Sequence, residues 1–84
     1  PNPLSARGTT IEFDFPITED ISIYILYIRG RKVKTLIDKE QLFGYQSVMW
    51  DATNYDGDNV SNGVYFYQIK SRNFNEGGKL VFVK

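Results

Sequence analysis

The sequence predicts an all-β fold, an antiparallel sandwich or small barrel of six to seven strands. Three observations predict it. The chain has six Tyr and six Phe, with frequent Ile and Val and a single Met, a composition that suits a pleated, half-buried surface better than a helix. Apolar residues alternate with polar ones in several short runs. Turn signals built from Gly, Asn and Asp recur at short spacing, and no segment sustains a helical period.

The elements follow in order. Pro1-Asn2-Pro3-Leu4-Ser5 reads as an extended opening segment, because each Pro fixes its own φ and Pro3 pushes Asn2 toward extended geometry. Thr9 to Phe15 alternates, with Ile11, Phe13 and Phe15 on one face, and Pro16 is expected to end that strand. Asp20 to Ile28 places Ile21, Ile23 and Ile25 on one face. Its other face turns apolar late, as expected of a central strand covered on both sides at its far end. Arg29-Gly30 is a tight turn. Lys32 to Ile37 returns as a strand with Val33 inward; Leu36 is out of phase with Val33, which calls for a bulge. Asp38 to Leu42 reads as a polar connection. Tyr45 to Trp50 is a further strand. Asp51 to Gly63 is a long loop carrying Asp56-Gly57 and Asn62-Gly63. Val64 to Lys70 is a strand with Tyr65, Tyr67 and Ile69 on one face. Asn75 to Gly78 reads as a hairpin turn, and Lys79 to Val83 as the last strand.

The bulk numbers limit function. A chain of 84 residues suffices for one domain, here residues 1–84, and buries about 60–65% of its unfolded surface. Ten basic and ten acidic residues cancel, so no electrostatic argument favours a nucleic-acid partner. The one basic cluster, Arg29, Arg31, Lys32 and Lys34, reads as a solvated strand edge before an anion-binding patch. The chain has no Cys and no His, which removes disulfides, thiolate sites and imidazole chemistry. No apolar run reaches the roughly 18–20 residues of a membrane span. A chain that starts at Pro1 without Met is expected to be a piece cut from a longer protein.

Several residue groups are candidate sites. Asp51, Asp56 and Asp58, with Asn54 and Asn59, offer oxygens of the kind calcium takes in sets of about six to eight. Their spacing fails the helix–loop–helix pattern. The competing reading is a loop whose Asx side chains cap backbone N–H groups. Catalysis is not expected, since a base, nucleophile or metal would have to come from those carboxylates alone in a domain too small for a cleft. Trp50 is either a core residue, inward with Val48, or an exposed platform for sugar. Tyr65 and Tyr67 read as core by their spacing. Tyr65, just past Gly63, is placed to send its hydroxyl back to a loop backbone group. Tyr24, Tyr55 and Phe66 are candidates for an exposed aromatic patch.

A resemblance adds to this reading. Pro1-Asn2-Pro3-Leu4 followed by Thr9-Thr10-Ile11-Glu12-Phe13, then Gly30-Arg31 with Val33 and Leu36, Trp50-Asp51 with Asp56-Gly57, Gly63-Val64-Tyr65-Phe66-Tyr67, and Lys79-Leu80-Val81 with terminal Lys84 stand in the order of one bacterial family. The chain resembles the FlgD-like immunoglobulin-like domain of the flagellar hook-capping protein and the C-terminal sorting domains of type IX secretion. It departs from them in having Tyr27-Ile28-Arg29 before the turn.

The resemblance implies an immunoglobulin-like sandwich at the C-terminus of a secreted or cell-surface protein. It also implies a non-enzymatic sorting and anchoring role without a cofactor. The implied partners are the upstream domain of the same polypeptide and the outer-membrane secretion machinery. The surface expected to meet that machinery is the last hairpin, Val64 to Lys84, above all Lys79, Val81, Val83 and Lys84 on an edge open to strand addition. The alternatives are a structural accessory module and a weak carbohydrate-binding module.

Overall fold

Alternation runs further along this chain than its Pro and Gly residues suggest. The computed structural model describes residues 8–83. The opening segment Pro1 to Ser5 and the terminal Lys84 lie outside the described residues. Four strands form, β1 (Thr9–Leu26), β2 (Lys32–Trp50), β3 (Gly63–Lys70) and β4 (Asn75–Phe82). They make one antiparallel sheet in the order β2-β1-β3-β4. This corrects the expectation of six to seven strands in two sheets: β1 and β2 each join two of the expected strands into one.

Bulges make the joining possible, because an extra residue on one strand bends the ribbon without ending the ladder. Pro16 does not end its strand. Pro16, Ile17 and Thr18 lie opposite Phe43 alone, between the pairs Phe15–Gly44 and Glu19–Leu42. A residue with no N–H is tolerated at such an interruption. Asp38 to Leu42 is likewise strand rather than connection. Asp38 and Lys39 together oppose Ser22, Lys39 takes φ 53°, and its N–H donates to Ser22 Oγ at 3.1 Å. A buried side chain thus satisfies the donor that the bulge removes from the ladder. The register also shifts at Val33 and at Leu36, where the phase error in the sequence called for a bulge.

The turns follow from local chemistry. The Gly30 N–H donates to Tyr27 O at 2.8 Å, and Gly30 takes φ 94°, a conformation costly for a residue with a Cβ. The last hairpin turns at Ser71–Phe74, not at Asn75 to Gly78. Ser71 Oγ accepts from the N–H groups of Asn73 and Phe74, and the Ser71 N–H donates to Phe74 O at 2.9 Å. Gly77 and Gly78 instead pair with Gln68 and Tyr67 inside the ladder. Gly78 stands there because the Tyr67 ring lies over it: a Cβ would come within 2.6 Å of the ring atoms.

The bend at Pro16–Thr18 folds the β1–β2 ribbon back over the rest of the sheet. One cluster joins Ile11 and Trp50 of the ribbon to Ile25, Val33, Tyr65, Leu80 and Phe82. A second holds Phe15, Ile21, Ile23, Ile37 and Ile69. Trp50, Phe82, Ile21, Ile23, Ile25 and Val33 are the largest fully buried side chains. Each contributes about 1.5–3 kcal/mol by leaving water. No helix among the described residues is long and apolar enough to cross a membrane.

Candidate functional site

Trp50 closes β2 with its indole at 0% exposed. Its Nε1–H donates to Thr53 O at 3.0 Å. Tyr65 meets it edge-on at 5.3 Å between ring centroids, and Phe82 lies at 6.4 Å. The Tyr65 hydroxyl donates to Ser61 O at 2.7 Å, tying the end of the loop to the core. Gly63 opens β3 opposite Phe82, and Tyr67 is half-buried. An indole with no exposed face gives a sugar ring nothing to stack on, so Trp50 is not a carbohydrate platform.

The loop after β2 is built by its own side chains. Asp51 Oδ1 accepts from the Thr53 N–H at 3.1 Å and from its hydroxyl at 2.6 Å. The Thr53 hydroxyl, with help from the Thr53 N–H and the Lys34 charge, holds the Asp51 carboxyl below its ordinary pKa, against a smaller opposing effect of burial. Asn54 Oδ1 accepts from the N–H groups of Asp56 at 2.9 Å and Asp58 at 3.0 Å. Lys34 Nζ reaches across from β2 to Thr53 Oγ1 at 3.1 Å and Asn54 O at 3.0 Å. Asp51 Oδ1 and Asn54 Oδ1 are therefore committed to protein donors, while Asp56 and Asp58 are exposed. Among the described residues no three His, Cys, Asp or Glu side chains are grouped to hold a metal ion.

The surface aromatics fall partly where the sequence pointed. Tyr55 is exposed and shares a hydrogen bond with Thr35 Oγ1. Tyr24 and Phe66 are half-buried, and Lys32 Nζ sits 3.9 Å above the Tyr24 ring. The most exposed large apolar residues include Phe43, Tyr45 and Met49, on one face of β2. Their period-two spacing was the signal for this stripe, and it was obscured by reading a break before Tyr45.

β4 is an edge strand. Leu80 and Phe82 face the core, while Lys79, Val81 and Val83 are exposed, the two valines at 44% and 56%. Val81 stands opposite the partly exposed Val64, so the hairpin carries an aliphatic strip on its outer side. An unprotected edge of this kind accepts a further strand. Lys84 lies outside the described residues.

Comparison with known proteins gives one match of consequence. Residues 1–84 match the family described as the secretion system C-terminal sorting domain. No curated protein and no solved structure matches the chain. The match spans the whole length, over the same β-rich chain whose edge strand and buried aromatic pair are described above. The chain belongs to the secretion system C-terminal sorting domain family, the type IX signal that marks proteins for secretion and attachment at the cell surface.

Proposed function

We propose that this chain is the non-catalytic export and surface-anchoring signal of the polypeptide to which it is joined, read by the secretion machinery on the outer side of the β3–β4 hairpin. In this reading residues 1–84 act as one C-terminal unit. The observation that carries it is the open edge of β4, with Lys79, Val81 and Val83 outward beside Val64. Strand addition to such an edge supplies main-chain hydrogen bonds, and the outward side chains supply selectivity. The non-catalytic reading is supported by the long loop, where Asp51 Oδ1 caps Thr53 and Asp56 and Asp58 are exposed.

The test is a secreted reporter fused to this chain in a bacterium with type IX secretion. Val81→Glu combined with Val83→Glu leaves the core untouched, so the folded fraction by circular dichroism is expected to stay unchanged. Reporter at the cell surface is expected to fall by about tenfold or more, the effect of losing about 1.4 kcal/mol of recognition. Unchanged export by the folded double variant rules out the hairpin surface.

A second reading rests on a different observation. The exposed stripe of Phe43, Tyr45 and Met49 suits packing against the joined upstream domain as an accessory module. Protection of those side chains in the full-length protein, but not in the isolated chain, supports it.

A further inference from the structure

The folded sheet stays open along one side. β1 pairs with β3 over Ser22–Leu26, so among the described residues Glu12 to Phe15 have a ladder partner in β2 alone. That edge of β1 and the far end of the β3–β4 hairpin border a groove of about 480 Å³. A smaller hollow of about 300 Å³ shares Glu12 and Tyr67 with it and runs toward Thr9, Lys79 and Leu80. An accessible strand edge beside a preformed groove is the geometry that strand addition uses.

The lining divides by chemistry. Half-buried Phe13 and Phe74 form an aromatic wall on either side of the buried Phe15, with Phe13–Phe15 centroids at 4.8 Å and Phe15–Phe74 stacked at 5.7 Å. Glu12, Asp14, Glu19 and Glu76 supply four carboxylates, and among the described residues no Lys or Arg lines this groove. This segregation stands out in a chain whose ten acidic residues are balanced by ten basic ones. Glu19 is the telling member. It is 8% exposed, and among the described residues its hydrogen bonds come from one neutral amide, Asn73 Nδ2, at 3.2 Å to each oxygen. A buried carboxylate is costly unless a cation or several donors meet it. The groove is built to receive positive charge.

We propose that this groove binds an extended, Lys- or Arg-bearing segment of a partner polypeptide, added as a strand to the open edge of β1. A strand presents alternate residues to opposite sides. One set, apolar, rests on Phe13 and Phe74; the other, cationic, meets Glu19 and Glu76. A bare metal ion makes no use of the phenylalanines, and an anionic ligand is repelled. The sorting role concerns the outer side of β4 and is read by export, so either reading can fail while the other stands.

The test uses the 84-residue chain and a capped eight-residue peptide alternating Lys with Val, with binding followed by fluorescence anisotropy and amide chemical shifts. Shifts are expected at Glu12 to Phe15 and at Glu76. Glu19→Gln with Glu76→Gln is expected to weaken binding by about tenfold or more, as for loss of charge-assisted hydrogen bonds. Glu76→Gln alone, at an exposed position, is expected to weaken it in the same direction and guards against misfolding of the double variant. A peptide with Glu in place of Lys is expected not to bind. One with N-methylated peptide bonds, unable to form a ladder, is expected to bind at least tenfold more weakly. Equal affinity for the double variant or for the N-methylated peptide overturns the proposal. So do shifts confined to Phe43, Tyr45 and Met49, or a groove filled by a second copy of the chain that the peptide does not displace.

Discussion

Trp50→Ala is expected to cost about 3–5 kcal/mol, the usual range for truncating a large buried aromatic. A domain of this length has only about 4–12 kcal/mol of total stability, so most of it disappears. The reasons are specific. The indole is wholly buried and holds Tyr65 edge-on, with Phe82 beside it. Its Nε1–H also satisfies Thr53 O, which the truncation leaves without that donor. Trp50 pairs with Thr9 at the start of β1, so the ribbon that folds over the sheet loses its anchor at one end. Urea titration followed by far-ultraviolet circular dichroism measures the loss. Trp50→Phe, which keeps a ring and removes the N–H, separates the terms; it is expected to cost less than half as much. A loss below about 1 kcal/mol for the alanine variant contradicts a core centred on this residue.

Gly8→Ala is expected to be the most damaging exchange of a small residue, at about 2–3 kcal/mol or more. Gly8 takes φ 121°, and a Cβ there would stand 1.7 Å from Trp50 O and 2.6 Å from Trp50 C. Those are backbone atoms that cannot step aside without displacing β2 from β1. Gly57→Ala is the control. Gly57 has φ 84° but nothing within 4 Å of the added atom, so it reports backbone strain alone, about 1–2 kcal/mol. The excess of the first over the second, read from paired thermal or urea melts, measures the close approach of the two chains. Equal losses remove the claim that the start of β1 packs directly on the end of β2.

Much of the inward face was legible in the sequence because period two is a local property. Ile11, Ile21, Ile23, Ile25, Tyr65 and Ile69 were placed by alternation alone, and all are buried. Strand continuity was not legible. Pro16 and the polar run Asp38 to Leu42 carry the same residue types that make turns, and only cross-strand pairing makes them bulges inside a ladder. Gly77-Gly78 looked like a turn for the same reason, while their actual requirement is the Tyr67 ring from the neighbouring strand. The Asp-rich loop could be read in chemistry but not in detail: Asn54 and Lys34 organise it, and Lys34 enters from β2. The groove was invisible, since Glu19 and Glu76 are far apart in sequence and line one groove only in the folded sheet.

The central claim is that the export signal is a folded surface rather than a linear tag. The most direct test compares surface display of one reporter carrying the native chain, the Trp50→Ala chain and the folded Val81→Glu, Val83→Glu chain. Display by the native chain alone is the predicted result; display at the native level of a Trp50→Ala fusion that circular dichroism shows to be unfolded contradicts it.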